Sequence, residues 1–422
     1  SGLHSRTLSA VRDRLDASRA SQATDAALSA ALDWAAINPA FPESVADANY
    51  LGSTSFVGAV NPDGSDTWWA GWTVEGSVGV PEAAEASCPT GTTEVDSDTC
   101  LLPPTISADM TLTASFDYLM EGRVTVGNGN GQLTTNNDGT LPDGSSARNV
   151  TLTHRPGVEI EGKQGTFANL IITRGSKIMA MGTKSKPIIM SSEDDGYDGS
   201  GEWGGLIMHG YAPHNECAEG GSYCDIDSEG ESGFAGGYDP DDNSGVLNYV
   251  VVAEGGYEFS TGNEINGISL IGVGRGTKLD YIQVHGNSDD GIEFYGGNVN
   301  VKHGVFTNNN DDSVDWDEGY QGNLQYIIVK QGASKGEAFE MDTEGSSDGF
   351  LSKPTLANVT VINDKVADRA NYSLNFKKRS GGFFHNTVVT VADSSLTAVD
   401  TCINVDGSGS EALVGSALVI NN

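Results

Sequence analysis

Basic residues are scarce in this chain: 23 Lys and Arg stand against 58 Asp and Glu, a formal charge of −35 over 422 residues. Such a surface repels nucleic acid and anionic lipid and favours cations and solubility, so no nucleic-acid partner is expected. No apolar run approaches the ~18 residues that a transmembrane helix needs. The sequence also lacks a Gly-rich phosphate loop, a nucleophile elbow and a Ser/His/Asp set in a recognisable order. Only five cysteines occur. None falls in a CxxC pair or beside a histidine cluster, which excludes an ordinary zinc site. Disorder is excluded as well, because 37% of the residues are hydrophobic and all six Trp sit in patterned segments.

Four of the cysteines bracket short polar loops, Cys88 and Cys100 around "CPTGTTEVDSDTC", Cys217 and Cys224 around "CAEGGSYC". Both pairs are expected as local disulfides. Cys402 is left as a buried thiol or as a half-cystine whose partner lies beyond residue 422. With Ser1 in place of Met, these features predict a processed, exported protein whose signal peptide is gone, lying outside the cell or on its surface.

Three textures follow one another. Residues 1–45 are Ala-rich with apolar residues at helical spacing and predict a helical N-terminal arm or cap. Residues 46–105 are rich in Gly and Trp and predict a capping region that carries the first disulfide loop. From 106 to 422 short strands alternate with Gly, Asn and Asp. The 55 glycines of the chain fit the many tight turns such strands need.

The second half repeats. One strand type recurs as "LNYVVV" (247), "LDYIQV" (279), "VKHGVF" (301), "LQYIIV" (324), "LANVTV" (356) and "FHNTVV" (384), at intervals of 32, 22, 23, 32 and 28 residues. A second type alternates with it: "ISLIGV", "IEFYGG", "VDWDEG", "FEMDTE" and "SLNFKK". Propeller blades need about 40–50 residues and leucine-rich repeats need their own consensus. The pattern instead predicts an all-β fold, a right-handed parallel β-helix with two or three strands per coil.

The stretch "TLTHRPGVEIEGKQGTFANLIITRGSKIMAMGTKSKPIIMSS", then "GEWGGLIMHGYAPHN" and "LDYIQVHGNSDDGIEFYGG", resembles a group of secreted bacterial proteins with a pectate-lyase-like β-helix. The resemblance covers roughly 106–422 and implies the fold. It leaves the activity open, because such helices serve lyases, hydrolases, adhesins and surface-layer components.

Two segments of the repeat, "SDDGIEFYGG" (288–297) and "NDDSVDWDEG" (310–319), carry doubled aspartates 22 residues apart. Strand alternation turns Ile292, Val314, Phe339 and Leu374 inward, with Phe294, Trp316, Met341 and Phe376 two residues on. Glu293, Asp315 and Glu340, followed by Asn375, then form an outward acidic ladder at the ~4.8 Å strand spacing. Asp289, Asp290, Asp311 and Asp312 fall at the corner before it. Three readings stay open. The corner residues satisfy turn backbone groups below a solvated acidic face. Or the carboxylates hold Ca²⁺. Or a pair of them acts as a glycosidase pair, in which case Asp289, Asp290, Asp311 and Asp312 are the catalytic candidates. The segment "SDDGIEF" is faintly similar to polygalacturonases, but their Gly-His-Gly and Arg-Ile-Lys elements are missing.

A calcium-like spacing appears in "DIDSEGES", with Asp225, Asp227 and Glu229, and in "DPDDNSG", with Asp239, Asp241 and Asn243. Tyr249, Tyr281, His303 and Tyr326, continued by Asn358, form an outward aromatic column that covers the sheet under a loop or meets sugars or a second subunit. The expected function is that of an exported, non-enzymatic structural protein, a calcium-stabilised subunit of a filament or surface layer, or an adhesin. Its expected partner is itself. A strand-like end, "ALVGSALVINN", suits end-to-end stacking. The alternative is a lyase or hydrolase acting on acidic polysaccharide.

Overall fold

The computed structural model describes residues 51, 58–60, 68–69, 71–73, 85 and 87–421, except 134–138, 195, 219–220, 261–262, 332–335, 346–348, 364–371 and 392–400. The expected helical arm at 1–45 lies outside the described residues. From Thr99 onward nearly every strand pairs in parallel with the strand one coil before and one coil after it. The fold is a parallel β-helix.

Two sheets build it. Ten short strands, from Thr105–Ile106 to Thr401–Val405, stack in one sheet. The other sheet changes character along the chain. In the early coils it contributes two separate strands, such as Thr151–His154 and Glu159–Gly162, joined by a turn containing Pro156 and Gly157. From Gly245–Ala253 onward the two fuse into one long strand bent at a single residue. Lys177–Met181 pairs with Gly245–Asn248 while Ile188–Ser192 pairs with Val250–Val252, on either side of Tyr249. The coil is thus three-sided.

The bend is a left-handed residue repeated in every late coil: Tyr249 (φ 51°), Tyr281 (55°), His303 (51°), Tyr326 (59°), Asn358 (57°) and Asn386 (53°). A residue with a Cβ pays roughly 1–2 kcal/mol for that conformation. Stacking offsets part of this cost in the aromatic members. The rings of Tyr249 and Tyr281 are 4.3 Å apart, those of Tyr281 and His303 4.2 Å, and those of His303 and Tyr326 4.9 Å, all within 11° of parallel.

The core fills the coil by strand alternation. Register aligns Ile292, Val314, Phe339 and Leu374, and then Phe294, Trp316, Met341 and Phe376; all eight are buried in one continuous cluster. Trp316 lies against Phe339 and Phe384. A slip of one residue would send this whole set to the outside, so the apolar columns fix the register.

At the first edge of the longer sheet, Thr93–Glu94 pairs antiparallel with Thr99–Leu101, stapled by the Cys88–Cys100 disulfide (Cα–Cα 5.8 Å). Trp68 and Trp72 of the 46–105 region lie along the flank of the coil. Trp68 and Trp72 meet the Tyr281 ring edge-on, at 6.4 and 6.0 Å, and Trp68 reaches His303 at 4.9 Å. Outward Val251, Val305, Ile328 and Ile362 complete this second apolar cluster, which explains the preference: a wide apolar face needs cover. The Cys217–Cys224 disulfide also forms (Cα–Cα 5.4 Å). Cys402 is exposed on the strand Thr401–Val405, which overturns its reading as a buried thiol.

Candidate functional site

The outer face of the short-strand sheet carries the chemistry. Ser269, Glu293, Asp315, Glu340, Asn375 and Asn404 stand in one register column, as strand alternation requires. They point away from the core, but they do not form the solvated face that one reading of the sequence described. Glu293 and Asp315 are only 8% and 7% exposed, and Asn375 is 8% exposed. Glu340 is half-buried.

Local cover explains the burial. The hairpin Ile226–Ser228/Gly233–Ala235 lies over the earlier coils, where Ala235 packs on outward Ile171, Ile207 and Ile271. Its turn carries Glu229 to the top of the ladder. There Asn266 donates from Nδ2 to Glu229 (3.0 Å) and to Glu293, and Ser269 donates to Glu229 (3.2 Å). The Tyr295 hydroxyl donates to Glu293 (2.5 Å). At the far end Lys377 pairs with Glu340 at 2.5 Å, and Lys378 pairs with Asp342 and Glu344.

The doubled aspartates sit at the corner before the ladder and divide their work. The second of each pair is buried, Asp290 at 7% and Asp312 at 4% exposed. Asp290 accepts the backbone N–H of Asp312 (2.9 Å), and Asp312 in turn accepts the N–H of Glu337. Asn309 accepts the N–H of Asn287 in the same manner (3.1 Å). The first of each pair is more exposed: Asp289 is half-buried and Asp311 exposed. The interval of 22 residues is therefore one coil, and the corner carboxylates satisfy the next turn.

The result is a crowd of acid groups. Oxygens of Asp290, Glu293 and Asp315 lie within 4.8 Å of one another; so do those of Asp312, Asp315 and Glu340, and those of Asp289, Asp290 and Asp311. Burial, then the neighbouring carboxylates, raises Asp290, Glu293, Asp312, Asp315 and Asp317 well above the usual range. Asp289 is pushed up to about 7 by burial and by Asp311, and Glu229 to about 8, chiefly by burial. Burial works against the charge of Lys377, yet Glu340, Asp315 and Asp342 hold its pKa above the ordinary lysine value.

The calcium-like loops are not brought together. Asp225 pairs with buried Arg174 (3.0 Å) and accepts the N–H of Leu133. Asp227 is exposed, and Glu229 joins the ladder. Asp239 caps the N–H of Asp241 (2.9 Å), Asp241 pairs with Arg275 (2.7 Å), and Asn243 caps the N–H of Gly245 (2.9 Å). Strand alternation splits the first trio and side-chain capping occupies the second. Sequence reasoning missed Asp317, Tyr295 and Lys377 as members of the ladder site. Asp317 and Tyr295 were legible, since each lies two residues past a ladder residue on the same strand face. The arrival of Glu229 was not, because nothing local predicts where a hairpin docks.

A family model described as a pectate-lyase-like β-helix domain matches residues 104–420. The chain belongs to that family. No curated protein matches it, and no solved structure does. Among the described residues no helix is long and apolar enough to cross a membrane.

Proposed function

We propose that this member of the pectate-lyase-like β-helix family is an exported, non-catalytic structural protein, a calcium-stabilised, self-assembling subunit of an extracellular filament or surface layer. One observation carries the reading: the ladder carboxylates Glu293 and Asp315 are less than a tenth exposed. A glycosidic bond has to enter between an acid and a second carboxylate. Here hairpin, tyrosine and lysine close the space, and a cation fits it better than a sugar ring. The other aromatic candidate site is covered too, since Trp68 and Trp72 lie on the Tyr249–Tyr281–His303 stack. Two disulfides suit an oxidising compartment outside the cell.

Electron microscopy of the purified protein, with millimolar Ca²⁺ and with chelator, tests the proposal. Ordered filaments or sheets with Ca²⁺ support it; single particles under both conditions overturn it.

A second reading, cleavage of an acidic polysaccharide, draws on Asp289 and Asp311. These are the accessible members of the crowd, and Asp289 is pushed up to about 7, near where an acid–base group works. Release of reducing ends or unsaturated uronides from a polyuronate, lost in Asp289→Asn, would favour this reading over the structural one.

A further inference from the structure

We propose that Asp315 is the shared ligand of a divalent-cation centre, Ca²⁺ by its chemistry, built between adjacent coils with Asp290 and Glu293 on one side and Asp312 and Glu340 on the other. The inference rests on the reading of the ladder as structural, and it moves the cation away from the Asp225–Asn243 loops.

Geometry comes first. Asp315 belongs to both buried triads, and within each the three ligand oxygens lie no more than 4.8 Å apart. Oxygens on opposite sides of a Ca²⁺ ion, at about 2.3–2.6 Å from it, are about 4.6–5.2 Å apart; around Mg²⁺ the span is about 4.0–4.2 Å and the geometry stricter. The donors are all oxygen, which disfavours zinc and the softer metals.

Unmet demand comes second. Asp315 is 7% exposed, and its Oδ1 has no hydrogen-bond partner among the described residues. Asn266, fully buried, donates from Nδ2 to Glu229 and Glu293, while its own Oδ1 is unpartnered among the described residues. A buried polar atom without a partner is costly, and a carboxylate more so. The other carboxylates are partly engaged: Asp290 and Asp312 cap turns, Glu293 accepts from Tyr295, and Glu340 pairs with Lys377. Asp315 alone of the five accepts nothing at Oδ1 from its surroundings.

Charge comes third. Among the described residues these five carboxylates face one direct cationic partner, Lys377. Buried like charges at strand spacing are destabilising unless something offsets them. A divalent ion in either triad supplies that offset and ties two adjacent coils together, Asp290 and Glu293 with Asp315 in one triad, Asp312 and Asp315 with Glu340 in the other.

The test uses the whole chain, freed of metal by chelator. Calorimetric titration with CaCl2 should show saturable binding, and Tb³⁺ should give luminescence sensitised by Tyr295, displaced by Ca²⁺. Asp315→Asn should weaken Ca²⁺ binding at least tenfold. It should also raise the Tm in chelator, by removing one buried charge, and abolish the further rise that Ca²⁺ gives the parent. Glu293→Gln provides a second variant if the first folds poorly. Asp227→Asn, at the exposed position of the hairpin strand Ile226–Ser228, should change nothing. If Asp315→Asn raises the Tm equally with and without Ca²⁺, the crowd is held by protons and the proposal falls. It falls also if binding survives Asp315→Asn and is lost in Asp227→Asn. Absent Ca²⁺ binding with filaments intact would sink this site and the calcium part of the proposed function while leaving the filament subunit standing; Ca²⁺ binding lost in Asp315→Asn together with polysaccharide cleavage would keep the site and sink the filament subunit.

Discussion

Asp290 Oδ1 accepts the backbone N–H of Asp312, 22 residues on in the chain and one coil on in space, at 2.9 Å. The bond turns a sequence repeat into a structural one, because each corner carboxylate closes the next corner. Two substitutions separate this role from charge. Asp290→Ala and Asp290→Asn both remove the negative charge, but only Asn keeps an acceptor. In chelator Asp290→Ala should be less stable than Asp290→Asn by about 1–3 kcal/mol, the cost of an orphaned buried N–H. Paired urea denaturation curves measure the difference. Equal midpoints would mean that the bond carries no net weight.

Tyr281 presents a different kind of corner. Its backbone is left-handed at φ 55°, and its ring stacks between Tyr249 and His303. Asn stands at the equivalent positions 358 and 386, and Asn tolerates this conformation better than a β-branched residue does. Tyr281→Asn and Tyr281→Val lose the same stacking. The Val variant should nevertheless be less stable by on the order of 1–2 kcal/mol, since its Cβ branches meet the carbonyl. Thermal unfolding of the two variants side by side decides it.

On the flank, Trp72 is fully buried, its Nε1 donates to the carbonyl of Trp68 (2.8 Å), and its ring meets Tyr249 edge-on at 5.5 Å. The covering segment is held to the coil by the Gly58 N–H on the Asn386 carbonyl (2.8 Å), by the Ala59 N–H on the Thr360 hydroxyl (3.0 Å), and by side-chain packing around Trp72. Trp72→Ala should weaken that hold by about 3–5 kcal/mol, as for other buried Trp truncations. Hydrogen exchange should then rise at 68–73 and at the Tyr249 and Tyr281 bends, while the core strand Ile327–Val329 stays protected. Uniform loss of protection would show that the flank and coil fold as one unit.

Much of this architecture was legible before any coordinates. The columns at Ile292 and Phe294 follow from period-two alternation and a coil-length repeat, and parallel stacking leaves little choice of register. The two disulfides were legible from short polar loops. The ladder was legible as a column, but its burial was not, because much of that burial comes from parts distant in sequence: the Glu229 hairpin and Lys377. The acidic spacing of the Asp225 and Asp239 loops was legible, but the partners of those side chains were not, for a local reason. Alternate acidic residues in a loop suit a cation, but they also suit an arginine and the N–H groups two residues on, and here Arg174, Arg275 and the turns at Asp241 and Gly245 take them. The left-handed bends were invisible as well, since Tyr is not a residue that announces a positive φ.

His154 yields the clearest pH dependence. It lies between Leu112 and Ala180 on neighbouring coils, fully buried, with neither ring nitrogen hydrogen-bonded among the described residues. Burial lowers its pKa to about 3. The folded state therefore resists protonation that the unfolded chain accepts near the ordinary value of about 6.5. The sign follows: the folded state keeps its full stability above that value and loses it as pH falls toward 3. At pH 5 the loss from this one residue is about 2 kcal/mol, at 1.4 kcal/mol per unit. The ladder carboxylates act in the opposite sense, because their raised values make the folded state hold extra protons and lose stability as pH rises. Comparing His154→Leu with the parent cancels that background, since both chains carry the ladder. The difference in unfolding free energy should be flat from pH 7.5 to 6.5 and should then turn in favour of the variant, reaching about 2 kcal/mol by pH 5. A difference that stays flat down to pH 5 would show that His154 is solvated or protonated in the folded state, and that the early coils open to water at that point.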